Sequence, residues 1–433
     1  MHKRIFLLSL PLIFSNLVLP MVGIVNTAII GHLNNSSYLA AIGLGVSILN
    51  VICLLFAFFR MSLTGLVAQN INDIEKMFCI VLRAIIVASI IAVIVFILKP
   101  FILNLVLSII HTDSEVKSLF IKFYNIAIYV FWFALLNFIF LGFFIGIGKT
   151  KVVLYSSLIL MILATSSSVI WIIFMQYNVV GVAISLVSAY CVTTMFLLTR
   201  TYGFFVSNSL NIKNVLKEFD YFTISEYIPF LKLNTNIFIR SLCLLLSMNS
   251  FYIFSAQYGK DVLAANTILI EVSLFMAMFL DALANTTESL VAQAYVDNNQ
   301  NIFKEVVSKT LLQSLVVTFI LVFIYALFKD HIITIFTSLV DVKYQVNKYI
   351  LFSILIPIAA SFSFWIDGVF VGLLKTVAMR NAMILAALVY IIAVILLGSF
   401  ENYGLWLALI LFYIARTAFL IPPLKSYLKK GVY

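Results

Sequence analysis

Long apolar runs separated by short polar clusters set the pattern of this chain. Reading from one polar break to the next gives twelve segments, near residues 5–31, 38–67, 79–107, 118–147, 152–176, 179–202, 227–257, 261–293, 304–328, 346–374, 378–400 and 403–424. Each is long enough to cross hydrocarbon as a helix, which takes about 20 residues. None alternates at period two, as a barrel strand would. A helix also satisfies its own backbone polar groups where the solvent offers no partner. The pattern predicts an all-α polytopic membrane protein with twelve transmembrane helices. The widest polar break, 203–226, carries Lys213, Lys217, Glu218, Asp220 and Glu226 and divides the chain almost in half.

The halves resemble each other. Leu39-Ala40-Ala41 and Leu66-Val67-Ala68-Gln69 return 224 positions later as Leu263-Ala264-Ala265 and Leu290-Val291-Ala292-Gln293. Gly142-x-Phe144-x-Gly146-x-x-Lys149-Thr150 returns at an offset of 226 as Gly368-x-Phe370-x-Gly372-x-x-Lys375-Thr376, and Gly181 and Tyr190 match Gly404 and Tyr413 at 223. Three matches in order, at nearly one offset, read as an internal duplication. Six spans per copy is an even number, so both copies enter the membrane in the same orientation, related by a pseudo-twofold axis along its normal. The expected domains are an N-lobe at 1–202, a cytoplasmic linker at 203–226 and a C-lobe at 227–433. Duplicated bundles of this kind bind cargo between their lobes and expose it to the two sides in turn.

Composition sharpens the picture. Of 433 residues, 64% are hydrophobic and 10% charged, against about 25% charged in a soluble domain. The formal charge of +10 does not point to nucleic acid, because Lys and Arg are scattered over short loops. With a cytoplasmic N-terminus, 17 of them fall on the inner side, 7 on the outer and 3 within spans. That bias places a multi-pass protein in the cytoplasmic (inner) membrane with both termini inside. Cys53, Cys79, Cys191 and Cys243 are far apart and form no Cys-x-x-Cys pair, so neither a zinc site nor a disulfide is expected. The first apolar run contains Pro11 and Pro20 and is too long for a cleaved leader.

Charges at membrane depth are expensive and mark function or pairing. Here they are Arg60, Arg240, Glu271, Asp281, Glu288, Asp367 and Arg416. Asp281 and Glu288 are seven apart, within about 20° of one helical face. The repeat sets Ser47, Ala57, Thr64 and Leu141 opposite Glu271, Asp281, Glu288 and Asp367, so all four acids belong to the C-lobe. One reading is a proton or cation site; the other is an ion-pair network in which Arg240 and Arg416 neutralise the acids. Arg60 reads as a snorkelling or pairing residue or as a substrate contact. No His lies at metal-ligand spacing and no nucleophile is paired with a base, so no enzyme and no cofactor is expected.

Several of these stretches resemble the multidrug and toxic compound extrusion (MATE) transporters, in particular their DinF-like branch. They are Pro11-Leu12-Ile13 with Asn26-Thr27-Ala28-Ile29-Ile30-Gly31-His32-Leu33, then Arg60-Met61-Ser62-Leu63-Thr64-Gly65, Ile237-Phe238-Ile239-Arg240, Asp281-x6-Glu288 and Asp367-Gly368-Val369-Phe370. The resemblance implies two lobes around a V-shaped cleft and export of amphipathic, often cationic compounds in exchange for H⁺ or Na⁺. It makes Asp367, Asp281 and Glu288 the coupling acids, with Na⁺ at Asp367 as the alternative to a proton; Glu271 joins them as a coupling candidate by its place in a span alone. Asn26, Arg60 and Asn236 would face the substrate cleft, Arg240 and Arg416 would be charge partners, and Pro11 and Pro20 would permit a gating kink. Where the branch usually carries Asp, this chain has Asn26 and Asn236, and an amide cannot take up the coupling proton. Coupling is therefore expected to rest on the C-lobe acids. The expected partners are small amphipathic molecules, H⁺ or Na⁺ and membrane lipid, with the protein a monomer. The alternatives are a flippase for lipid-linked intermediates, a weakly coupled exporter, and a membrane protein that has lost transport.

Overall fold

The computed structural model describes residues 1–31, 36–109, 113–221 and 223–430. The first half holds α1 (His2–Gly31), α2 (Ser36–Leu55), α3 (Phe58–Gln69), α4 (Ile74–Ile97), α5 (Lys99–Ile109), α6 (Ser114–Ala127), α7 (Val130–Gly146), α8 (Thr150–Val169) and α9 (Asn178–Ser207). A short α10 (Ile212–Glu218) follows. The second half holds α11 (Ile228–Ser255), α12 (Lys260–Val296), α13 (Gln300–Phe336), α14 (Val340–Gly372), α15 (Thr376–Leu396) and α16 (Glu401–Lys430). Among the described residues, eleven stretches are long and apolar enough to cross a membrane. The helices α6 and α7, bent by 45° at a short break, form a twelfth as one broken span. Outward side chains such as Ile97 on α4 and Phe323 on α13 are exposed, which suits a solvent as apolar as they are.

Local chemistry explains where the helices differ from the sequence pattern. The run at 79–107 is two helices, not one. Pro100 has no N–H to donate, so helical bonding lapses after Ile97 and α5 starts afresh with proline in its first turn. The second span breaks at Phe56–Ala57 between α2 and α3, whereas its repeat counterpart, α12, runs unbroken. Asp73 caps α4 by accepting from the Lys76 N–H at 2.9 Å, and Asn299 caps α13 through Asn301 and Ile302.

Two compact units divide the chain. One is Phe14–Ile228; the other joins Met1–Ile13 to Pro229–Tyr433. The first 13 residues thus pack with the second unit. Arg4 donates to Gln293 Oε1 at 2.6 Å, and Gln313 donates to the His2 carbonyl at 3.0 Å.

The duplicated motif has a physical reason in each unit. A Cβ on Gly142 would stand 2.5 Å from the Arg60 carbonyl oxygen, and one on Gly368 would stand 2.5 Å from that of Ala284. One turn on, Gly146 faces the Thr64 oxygen at 2.8 Å and Gly372 that of Glu288 at 2.6 Å. These pairs hold α7 against α3 and α14 against α12 with backbones in contact, the small-xxx-small packing that membranes favour. Both helices then end alike. Lys149 N–H reaches back to Phe144 O at 2.8 Å and Lys375 N–H to Phe370 O at 3.0 Å, across Gly148 (φ 73°) and Leu374 (φ 56°). The lysines also match: Lys149 stands over the Phe204 ring at 4.7 Å and Lys375 over Tyr427 at 5.8 Å. Asn137 donates to Thr194 at 2.7 Å, and Ser363 meets Thr417 at 3.1 Å in the corresponding place.

Candidate functional site

Five helices of the second unit bring its polar side chains together. On α11, Asn236 and Arg240 lie one turn apart and so share a face. Gly368 draws α14 onto α12, and the residue before it, Asp367, is turned toward α11 and α16. There the Asp367 Oδ2 accepts from Arg240 Nη2 and from Arg416 Nη2, the second at 2.6 Å. All three residues are buried, at 5%, 7% and 2% exposure for Asp367, Arg240 and Arg416. Among the described residues Asp367 is the one carboxylate within ion-pair distance of either arginine. Two guanidiniums on one carboxylate leave this triad with an excess of one positive charge.

Aromatic rings and hydroxyls fix the geometry. The Arg416 guanidinium lies 5.6 Å from the Phe412 ring centre and 5.5 Å from that of Tyr413. Ser363, one turn before Asp367, donates to the Tyr413 carbonyl at 2.7 Å and ties α14 to α16. Other donors are less well served: Arg240 Nε, Arg416 Nε and Arg416 Nη1 are buried and meet no acceptor among the described residues. One turn along α11, Asn236 donates to Thr376 at 3.3 Å and accepts from Arg380 Nη1 at 2.9 Å. Arg380, half-buried at the start of α15, has no carboxylate within ion-pair distance among the described residues.

The remaining sequence candidates separate. Asp281 is half-buried on α12 and accepts from Asn285 at 3.0 Å, while Glu288, two turns on, is buried. Glu271 is exposed on the same helix and stands apart from the triad. Arg60 is half-buried on α3 in the first unit, with its backbone oxygen beneath Gly142. Pro11 is buried and Pro20 half-buried, and α1 stays helical through both. The Asn26 side chain lies outside the described residues. No three His, Cys, Asp or Glu come together among the described residues, so a Na⁺ at Asp367 would draw most of its ligands from hydroxyl, amide and carbonyl oxygens.

Sequence reasoning missed Arg380, which it counted only among the inner-side basic residues, and the contact of Tyr413 with Arg416. The signal for Arg380 was available: it lies four residues after Thr376, one turn inside the helix that the lysine-threonine pair begins. A small apolar pocket lined by Met248, Ile270, Leu280, Ile356, Leu409 and Tyr413 opens beside the same tyrosine. Elsewhere in the unit Asn266 and Asn402 exchange amide hydrogen bonds at 2.6 and 3.1 Å, and Trp406 Nε1 donates to Asn266 at 2.9 Å. This second buried polar set is fully partnered and so specifies packing.

Comparison with known proteins gives one consistent result. The sequence profile of the MatE family matches residues 11–170 and 237–419, one stretch in each half. DNA damage-inducible protein F of Escherichia coli (strain K12) is 27% identical over 421 residues, 96% of this chain and 90% of that protein. Among solved structures, a MOP superfamily transporter from Pyrococcus furiosus superposes with a TM-score of 0.84 at 18% identity, covering 99% of this chain and 96% of the other. A Vibrio cholerae MATE transporter, VcmN, solved as an aspartate-to-asparagine variant, gives 0.83 at 18% identity over 100% and 98%.

Proposed function

The chain belongs to the MatE family of secondary transporters, and we propose that it exports amphipathic organic compounds across the cytoplasmic membrane in exchange for H⁺ or Na⁺. Coupling, in this reading, rests on Asp367, Asp281 and Glu288. The observation that carries it is the buried Asp367 between Arg240 and Arg416: a charge set at membrane depth is retained where it serves a pathway or a switch. The first unit has only Leu141 at the place of Asp367, which concentrates ion sensing in one copy of the duplication. A cation changes the balance between two conformations only if it binds them unequally. At Asp367 it has to displace a guanidinium, so the clamp and the cation compete.

The test is dye efflux from cells expressing Asp367→Asn, Asp281→Asn and the wild type at equal levels, followed by proteoliposomes with pH and Na⁺ gradients imposed separately. Efflux is expected to fall in both variants and to follow one of the two gradients. Undiminished efflux in both variants overturns the coupling assignment. Reconstituted protein that moves no dye under either gradient overturns export.

A further inference from the structure

The second unit has more buried positive charge than its contacts use. Arg240 and Arg416 share Asp367, and Arg380 holds only amides, through Asn236 and Asn381. A guanidinium donates five N–H groups in one plane and accepts none. At Arg416, 2% exposed, both Nε and Nη1 lack an acceptor among the described residues, as does Nε of Arg240. A buried donor left unmet weakens the fold. A purely structural ion pair would be closed on itself, as the Asn266–Asn402–Trp406 set is. These three donors stand instead on two side chains already aimed at one carboxylate, beside a tyrosine whose ring also lines the apolar pocket.

We propose that Arg240 and Arg416 receive the anionic head of an amphipathic acid, whose apolar tail lies against Tyr413 at the edge of the small pocket that this residue lines. The inference rests on the transporter reading and names its substrate class. It also divides the labour of the acids. Asp367 is the internal counter-ion, which holds the two guanidiniums when cargo is absent and competes with it when present. Asp281 and Glu288 on α12 share the coupling cation with Asp367 once cargo has drawn the arginines away from it. Arg380 extends the positive potential by one turn of α11, because Asn236 stands where a carboxylate would cancel it.

The proposal is tested with purified protein in maltoside detergent, by following thermal unfolding while titrating sodium octanoate, octylammonium chloride or sodium chloride. Octanoate is expected to stabilise the protein at lower concentration than chloride, and octylammonium to give no shift beyond that of its chloride. Asn236→Asp, an isosteric change that gives Arg380 a carboxylate, is expected to weaken octanoate about tenfold, the size of one charge-assisted hydrogen bond. Asp367→Asn removes the competitor and is expected to tighten octanoate about tenfold. Should that variant not fold alone, octanoate in the medium is expected to restore it. Equal stabilisation by octylammonium, or a wild-type octanoate midpoint in both variants, overturns the proposal. Binding is read without transport, so octanoate binding by a protein that fails in vesicles would overturn export and leave the anion site standing.

Discussion

At the scale of single residues, the duplication exposes where each copy is well or poorly served. Gly148 and Leu374 end equivalent helices in the left-handed region, at φ 73° and 56°. Glycine adopts that conformation freely, whereas an L side chain pays about 1–2 kcal/mol. Gly148→Ala is therefore expected to cost about 1 kcal/mol, and Leu374→Gly to gain up to about 1 kcal/mol, less whatever contact the half-buried leucine gives up. Thermal unfolding of the two variants in one detergent checks both signs; a loss in both would show that side-chain packing outweighs backbone strain here. The sequence displayed the ions of the candidate site, including Arg240 and Arg416 as partners for acids. It could not display that both bind a single oxygen of Asp367, because spacing along three separate helices says nothing about which atom they meet. Nor could it show that Asp281 is half-buried while Glu271, ten residues earlier on the same helix, is exposed.

Between residues and fold stands the helix crossing, where the repeated glycines act. The sequence showed the Gly-x-Phe-x-Gly motif twice without saying what it does. Coordinates supply the reason: the glycine lets a backbone oxygen of the neighbouring helix approach to within 2.5–2.8 Å of where a Cβ would be. Extra atoms in a packed contact cost about 1–3 kcal/mol. Gly142→Ala and Gly368→Ala are each expected to lose stability in that range, each through its own unit. Gly203→Ala, on α9 with open space around it, is expected to be neutral or to gain up to about 1 kcal/mol, the helix preference of alanine over glycine. Matched melting curves for the three variants decide the matter. If all three behaved alike, the motif would reflect helix propensity and not close approach. Element boundaries were legible wherever a polar break coincided with a cap, as at Asp73. They were illegible where proline split an apolar run, as at Pro100, or where a helix broke inside one, as at Phe56.

For the whole molecule, span parity and loop charge argue together. Counting α6 with α7 as one broken span gives twelve crossings, and an even number returns the C-terminus to the side of the N-terminus. With 17 inner against 7 outer basic residues, that side is expected to be the cytoplasm. The site inherits its depth from this choice. Asp367 lies five residues before the end of α14, about 8 Å at 1.5 Å per residue, and Arg380 lies four residues into α15. Both are therefore close to the turn carrying Lys375, which the charge bias puts inside. On the proposed anion site and this orientation, arginines at that depth would meet cargo approaching from the cytoplasm. Green fluorescent protein fused after Tyr433 is expected to fluoresce, and alkaline phosphatase fused there to be inactive, whereas phosphatase fused after Lys122 is expected to be active. The opposite pattern would invert the molecule. The Asp367 triad would then sit near the outer face, and the proposed anion site would lie nearer the outside.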